Sequence, residues 1–218
     1  MGSITGMTHM QLSTQVTPHL YNGADASTPG APLPRGTTIL FAYIGEASKP
    51  GAPDTPHIWT PDDINRYMSP DGDLYGGPYL RVVPIYTKSY ADNPVTDAIN
   101  ACDAMSEYGW WMAGGRLLFW DAEALVDPAY TIDLADACYE RGVRLGKYGQ
   151  LSAINHNPPV PGGTWFAEWG NVKPSAIPQQ LGVAWQWASP AQVHGAWDRS
   201  VCDPFVYHNA GRGPRRDI

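Results

Sequence analysis

The residues of this sequence best placed to do chemistry are carboxylates that follow short apolar runs. Six acids stand at or just after the ends of such runs: Asp25, Glu46, Asp121, Glu123, Glu168 and Asp198. Asp121 and Glu123 are two positions apart, so on an extended strand their side chains point the same way. Crowded carboxylates cannot all ionise, and one of them then acquires a pKa suited to a general acid. Cleavage of a glycosidic bond needs such a protonated carboxyl beside negative charge. The alternative is that each acid caps a helix or binds turn amides.

Tryptophans add support for a sugar ligand. The chain has nine, and five of them lie in its final third: Trp165, Trp169, Trp185, Trp187 and Trp197. Sugar rings present apolar C–H faces that stack on indole, while their hydroxyls need partners such as the amide of Gln186. The alternative is ordinary core packing, which we expect for Trp110, Trp111 and Trp120.

Seven apolar runs predict the strands that would carry these side chains, over 20–26, 38–45, 79–87, 116–121, 143–149, 164–167 and 182–188. Their apolar residues are consecutive, as is typical of strands buried on both faces. Helix starts are indicated at Thr60-Pro61, Asn93-Pro94 and Asp127-Pro128, where a capping side chain precedes a proline. Strands that alternate with capped helices predict a parallel sheet.

The final third lacks helical periodicity, and an eighth strand is predicted around 193–198. This order favours an α/β fold, a TIM-like (β/α) barrel with helices missing after the fifth strand. An open doubly wound sheet is the alternative, but no Gly-x-Gly-x-x-Gly or Walker loop follows a strand. In a parallel barrel all carboxyl ends open on one face, so the acids should converge there. We expect an N-terminal arm over 1–19, the barrel domain over 20–203 and a polar C-terminal tail over 204–218.

Composition argues against several classes of function. The net charge of −7 and the pI near 5.2 disfavour nucleic acid as a partner. No apolar run is long enough for a membrane span, and no signal peptide is visible. The six histidines are scattered without metal-ligand spacing, so we expect no metal, and we expect no cofactor either. There is no Gly-x-Ser-x-Gly elbow, which argues against a serine hydrolase of the α/β type. Of the three cysteines, Cys102 and Cys138 lie on apolar stripes; buried thiols are expected, although one bridge is possible.

Over about residues 20–203 the chain resembles the glycoside hydrolase family 25 lysozymes and their actinobacterial glycoside-hydrolase-like relatives. The matching motifs are Gly23-Ala24-Asp25-Ala26-Ser27, Asp121-Ala122-Glu123, Trp165-Phe166-Ala167, Trp185-Gln186-Trp187 and Asp198-Arg199-Ser200. The last departs from the family, because Ser200 stands where an asparagine is usual. The resemblance implies cleavage of the muramic acid–glucosamine linkage of peptidoglycan. Glu123 would be the general acid and Asp121 its orienting or stabilising partner, with Asp25 and Asp198 completing the acidic cluster.

The candidate substrate-binding residues are Glu46, Tyr86, Tyr148, Glu168, Trp185, Gln186 and Trp187. The resemblance predicts a minor tail or lysis-associated protein of an actinobacterial phage, located in the virion or, before assembly, in the host cytoplasm. Its partner would be a cell-wall glycan, with other tail proteins bound through the termini. Two alternatives to a muramidase are a non-catalytic module that binds wall glycans and a purely structural subunit of the virion.

Overall fold

The fold is a closed barrel of eight strands, seen in a computed structural model. The structure describes residues 19–26, 28–47, 58–88, 93–108, 115–121, 127–150, 158–170, 172–178, 182–193 and 195–212. The strands are β1 (Tyr21–Asp25), β2 (Ile39–Ala47), β3 (Arg81–Lys88), β4 (Leu117–Asp121), β5 (Arg144–Gln150), β6 (Thr164–Ala167), β7 (Ala184–Ala188), β8 (Asp198–Cys202) and β9 (Gly211–Arg212). The helices are α1 (Pro61–Met68), α2 (Pro94–Glu107), α3 (Pro128–Glu140), α4 (Pro190–Val193) and α5 (Pro204–Asn209).

Strand pairing closes the sheet and brings the carboxyl ends of seven strands to one face. The order is β2-β1-β8-β7-β6-β5-β4-β3, and β3 pairs back onto β2. Strands β1 to β7 pair with their barrel neighbours in parallel, whereas β8 runs antiparallel to both β1 and β7. The amino end of β8 therefore lies at the same face as the carboxyl ends of the others. The predicted TIM-like α/β barrel is confirmed.

The three predicted helix starts are confirmed by their capping contacts. Thr60 and Asp63 form a reciprocal capping box at the start of α1. Asn93 accepts hydrogen bonds from two amides at the start of α2, and Asp127 accepts one at the start of α3. A proline occupies the first helical position in each case, where a backbone N–H would have no acceptor within the helix. These local signals act within one turn and are therefore readable from sequence.

Side-chain alternation divides the core into two layers. One layer fills the barrel and includes Phe41, Ile85, Phe119 and Trp165. The indole of Trp165 stacks on Phe41 with ring centroids 4.0 Å apart. The other layer lies between the outer face of the strands and the helices, and includes Trp120 together with apolar residues of α1, α2 and α3. Because both faces of the strands are buried, their sequences read as continuous apolar runs.

The helices become sparse after β5, as predicted. No helix occurs in the described residues between β5 and β7, and the four-residue α4 is the only one described between β7 and β8. The predicted position of the eighth strand was wrong, because β8 begins at Asp198, where that prediction ended. The apolar residues that anchor β8 are Val201 and Cys202, both fully buried, and they lie beyond the predicted range.

Part of the segment predicted to be a polar tail forms regular structure. Residues 204–209 are α5, and Gly211 and Arg212 pair antiparallel with the first residues of β3. Val206 and Ala210 are buried against the barrel interior, so this segment closes the barrel at the end opposite the acidic residues. The two small apolar residues were too few to show a periodic pattern. Residues 1–18 of the predicted arm, and 213–218, lie outside the described residues.

A glycine between β5 and β6 gives a direct test of this packing. A Cβ on Gly162 would overlap the backbone of Gly146 and lie 2.6 Å from the carbonyl oxygen of Leu145. The Gly162 amide also donates to that carbonyl, so the two segments cannot separate easily. We expect Gly162→Ala to lower the free energy of unfolding by about 2–4 kcal/mol. Gly170→Ala is the control, since nothing lies within 4 Å of its Cβ position. Urea unfolding would measure both, and equal midpoints would contradict the prediction.

Candidate functional site: an acidic barrel mouth

Three of the predicted acids meet at the carboxyl-end mouth of the barrel. Asp25 ends β1, Asp121 ends β4 and Asp198 begins β8. Asp25 pairs directly with both Asp198 on β8 and Phe41 on β2. Because directly paired residues share a face of a sheet, and Phe41 lies inside the barrel, the carboxyls of Asp25 and Asp198 also face inward. We call Asp25, Asp121 and Asp198 the acidic mouth.

Asp25 is the most enclosed member of the acidic mouth, with only 2% of its surface exposed. Burial raises the pKa of its carboxyl well above the usual value, because the charged form loses its hydration. The nearby carboxyls of Asp198 and Asp121 raise the pKa of Asp25 further by charge repulsion. A hydrogen bond from Gln186 opposes this effect without cancelling it. Asp25 is therefore held in conditions that favour its protonated form.

Gln186 on β7 connects Asp25 to two aromatic side chains. Its Nε2 donates to the two carboxyl oxygens of Asp25, at 3.2 and 3.4 Å. Its Oε1 accepts from the hydroxyl of Tyr148 at 3.0 Å and from the indole N–H of Trp169 at 3.3 Å. Two donors on the oxygen and a carboxyl on the nitrogen fix the orientation of the amide. Gln186 and Tyr148, both predicted to bind substrate, thus join the acidic mouth.

Asp198 differs from Asp25 because it is only partly buried. Burial raises the pKa of its carboxyl to about 6. Asp198 therefore changes protonation state close to neutral pH, while remaining in contact with the solvent of the mouth. A carboxyl of this kind can donate a proton or supply negative charge, depending on the pH.

The floor of the site is aromatic. The indole of Trp165 lies beneath Tyr148, with ring centroids 4.2 Å apart. Its N–H donates to the hydroxyl of Ser200 at 3.1 Å. Ser200 is the residue at which the sequence departs from the family it resembles, and in this structure it satisfies the one polar atom of a buried indole. This bond fixes the orientation of the indole inside the barrel.

Several predicted site residues lie elsewhere. Tyr86 was predicted to bind substrate, but its side chain faces the outside of the barrel, over Gly45 and beneath α2. Its strand position alternates with the inward positions of β3, which explains the difference. Trp185 also faces outward, packs on Phe166 at 5.2 Å and donates from its indole N–H to the carbonyl of Glu168. The structure therefore separates Tyr86 and Trp185 from the acidic mouth.

The remaining predicted residues are placed only in part. The side chain of Glu168 is exposed after β6, and Trp187 is half-buried on β7. Glu46 pairs through its backbone with Thr87, while its side chain lies outside the described residues. Glu123, the predicted general acid, also lies outside them; it follows Asp121 by two positions.

Trp169 is one of the five tryptophans that support a sugar ligand, but it is not among the predicted substrate-binding residues. Its indole is 57% exposed, although its N–H is bound to Gln186. An exposed indole anchored beside buried carboxyls is suited to stack on the apolar face of a ring. Its position directly after Glu168 at the end of β6 was a further signal in the sequence, but an exposed tryptophan and a core tryptophan look alike in a sequence.

The described residues contain no candidate metal site. No group of three or more histidine, cysteine, aspartate or glutamate side chains among them is arranged to hold an ion. None of their helices is long and apolar enough to cross a membrane. The groups that the acidic mouth does offer are carboxyls, which can transfer protons and stabilise positive charge.

Fold and site together define a class: a TIM-like barrel with few helices and an acidic mouth. No protein-family model matches the chain, and no curated protein matches it. The chain is similar in structure to an uncharacterized protein of B. stearothermophilus, with a TM-score of 0.61. The sequences are 19% identical, and the match covers 87% of this chain and 99% of that one. At this identity the likeness shows the fold alone.

Proposed function

We propose that this protein is a peptidoglycan-directed glycoside hydrolase of the muramidase type. One observation carries the proposal: Asp25 and Asp198 lie side by side on neighbouring strands at the mouth of a closed barrel, with Asp121 nearby and with the pKa values of Asp25 and Asp198 raised. Catalytic groups in barrels of this kind lie at the carboxyl ends of the strands. Glycoside hydrolysis uses a pair of carboxyls, of which one has a raised pKa and donates a proton while the other stays ionised.

The roles follow from accessibility. Asp198 reaches the solvent of the mouth and titrates near pH 6, so it can face a developing positive charge on the sugar ring. Asp25 is buried and acts as a positioning residue, because it holds Gln186 in place. Glu123 would protonate the leaving oxygen with Asp121 as its partner, a role that rests on the resemblance to the family 25 lysozymes. Tyr148 and Gln186 would orient substrate hydroxyls.

The aromatic side chains argue for a sugar as the ligand of this site. Trp169 presents an indole face to solvent while its N–H is fixed by Gln186. A rigid indole at this position can stack on the C–H face of a pyranose without ordering a mobile side chain. The same resemblance supports a setting in a phage virion, with the cell-wall glycan of the host as partner and with tail proteins bound through the termini.

Hydrolysis is tested with purified actinobacterial cell walls. We expect the wild-type protein to release reducing sugar and to lower the turbidity of the suspension. Glu123→Gln should abolish both while the far-ultraviolet circular dichroism is unchanged, since the amide cannot donate the proton. Glu140→Gln is the matched control, because Glu140 is exposed on α3, away from the mouth. An unchanged rate in Glu123→Gln removes that residue from the mechanism.

Binding is tested separately by sedimentation of the protein with the same walls. Trp169→Ala should weaken binding roughly 3- to 10-fold through lost stacking. Trp169→Phe keeps a ring but not the N–H, so it should retain most of the affinity. Tyr139→Ala controls for the loss of an exposed aromatic ring, since Tyr139 is 64% exposed on α3. Wild-type protein that sediments with walls but releases no sugar would leave the non-catalytic binding module as the function.

A further inference from the structure

Two cysteines face each other between helices α2 and α3, away from the acidic mouth. Cys102 lies on α2 and Cys138 on α3, and both belong to the apolar layer between the barrel and the helices. Cys102 is 9% exposed and Cys138 is fully buried. Helices α2 and α3 pack against each other, and across this contact the thiol of Cys138 donates a hydrogen bond to the sulfur of Cys102. Both thiols are free in this structure.

The surroundings make the two sulfurs unequal. The hydrogen bond from Cys138 lowers the pKa of Cys102 despite its partial burial, and the charge of Arg141 acts in the same direction. The same hydrogen bond, together with burial, raises the pKa of Cys138. The thiolate is the reactive form of cysteine, and Cys102 is also the sulfur closer to solvent. Cys102 is therefore the sulfur that an oxidant would meet first.

The third cysteine provides an internal contrast. Cys202 lies on β8 in the barrel interior, in the other core layer. Burial and the carboxyls of Asp203 and Asp25 raise the pKa of its thiol well above the usual value. A buried thiol that stays protonated is inert. Cys102 and Cys138 are thus close together and include a reactive thiol, whereas Cys202 is isolated from them and inert.

We propose that Cys102 and Cys138 are a redox pair, which a small peroxide converts into a disulfide between α2 and α3. The Cys102 thiolate attacks one peroxide oxygen, the O–O bond breaks, and a sulfenic acid forms with release of hydroxide. The Cys138 sulfur then attacks the Cys102 sulfur and forms the S–S bond. The proton of Cys138 and the hydroxyl of the sulfenic acid leave as water. The two thiols are oxidised and the peroxide is reduced, which balances the reaction.

Local packing leaves room for the bond. A small internal cavity adjoins Cys138 and is also lined by Ala101, Leu134 and Leu145. Helices α2 and α3 already pack together, and the hydroxyl of Tyr130 on α3 donates to the buried carboxylate of Asp97 on α2. A cross-link at Cys102 and Cys138 would add a covalent tie to an existing contact.

The cross-link would also close a covalent loop of the chain that contains part of the candidate site. Cys102 and Cys138 are 36 positions apart, and the segment between them contains β4 with Asp121 at its end. Closing a loop of this length stabilises the folded state, in the chain-entropy description, by restricting the unfolded chain. We expect oxidation to raise the thermal midpoint by about 5–10 °C. This inference does not depend on the proposed hydrolase activity.

The test starts from the reduced full chain in native buffer, treated with a modest excess of hydrogen peroxide. Free thiols are then alkylated in denaturant and the intact mass is recorded. We expect two of the three thiols to be protected from alkylation. The protein should then carry one alkyl group and have lost two hydrogens, and a peptide map should join Cys102 to Cys138. Cys202→Ala should behave like the wild type. Cys102→Ala and Cys138→Ala should each lose the protected pair and the rise in thermal midpoint.

Two results would overturn the inference. One is that all three thiols remain alkylatable after peroxide treatment of the folded protein, or that the pair forms only in denaturant. The other is a peptide map in which Cys202 is one of the linked residues. A non-reducing gel distinguishes the expected internal bond from a disulfide between two chains.

Discussion

Replacing Asp198 by asparagine is expected to reduce the rate of wall hydrolysis by about 10²–10³-fold. Asp198 is the member of the acidic mouth whose pKa is about 6 and whose carboxyl is only partly buried. In the proposed mechanism its negative charge, when ionised, would stabilise the positive charge that develops on the sugar ring. Asparagine preserves the size and shape of the side chain but removes that charge. The loss should therefore appear in kcat more than in affinity for the wall.

The fold of Asp198→Asn should persist, which separates chemistry from stability. Removing the carboxyl relieves repulsion with Asp25, its direct cross-strand partner. Asp133→Asn is the matched control, since it removes one carboxylate from the exposed surface of α3. The measurement is reducing-sugar release at several pH values, with urea unfolding on the same samples. Activity within twofold of the wild type would show that Asp198 is not part of the mechanism.

The protein should become more stable as the pH falls from about 8 to about 4. The pKa values of Asp25 and Asp198 are raised in the folded protein, so the folded state binds more protons than the unfolded state in this range. Ionisation therefore opposes folding above the folded pKa, and that penalty is relieved as the pH falls through it. For Asp198 the relevant window lies between about 6 and its ordinary value of 3.8.

The contribution of Asp198 to the pH dependence of the unfolding free energy has an upper bound. A pKa difference from 3.8 to about 6 corresponds to at most about 3 kcal/mol of unfolding free energy. Its side chain is partly exposed, and solvent screening reduces the value to about 1–2 kcal/mol. Asp198→Asn should be more stable than the wild type by this amount at pH 8 and equal to it near pH 4. Asp25 contributes in the same direction.

Carboxyls with lowered pKa values set the lowest pH at which this prediction applies. The Arg66 guanidinium holds the pKa of Asp73 below its usual value, at 2.8 Å on the surface. Ionised Asp73 therefore adds to the free energy of unfolding, and this stabilisation is lost only as the pH falls below the ordinary aspartate range. Urea unfolding at pH 4.5, 6 and 8 therefore isolates the acidic mouth. A wild-type free energy of unfolding that falls steadily from pH 8 to pH 4.5 would contradict the prediction.

Much of the barrel was predictable because its signals are local. The N-caps Thr60, Asn93 and Asp127 act on amides two or three residues away, and the structure confirms all three. Continuous apolar runs placed seven strands to within two residues at each end. The eighth strand was misplaced because its anchors are two apolar residues, Val201 and Cys202, which follow polar ones.

The candidate site was predictable in its acids but not in its contacts. Asp25 and Asp121 could be selected because each ends a predicted strand. Asp198 was selected as the residue that follows the predicted eighth strand, whereas it is the first residue of β8 and lies at the mouth only because β8 runs antiparallel. Tyr86 could not be judged in the same way, since one residue of register decides whether a strand side chain faces the barrel interior or the helices.

The sequence alone therefore determined the order of β1 to β7, the starts of α1, α2 and α3, and the positions of Asp25 and Asp121 at strand ends. These properties depend on neighbours along the chain. Only the tertiary structure decided that β8 runs antiparallel, that Gln186 joins Asp25 to Tyr148 and Trp169, and that Cys102 meets Cys138. Each of these contacts joins residues far apart in sequence. Closure of the sheet and packing of the helices create them, and no local pattern encodes the distances involved.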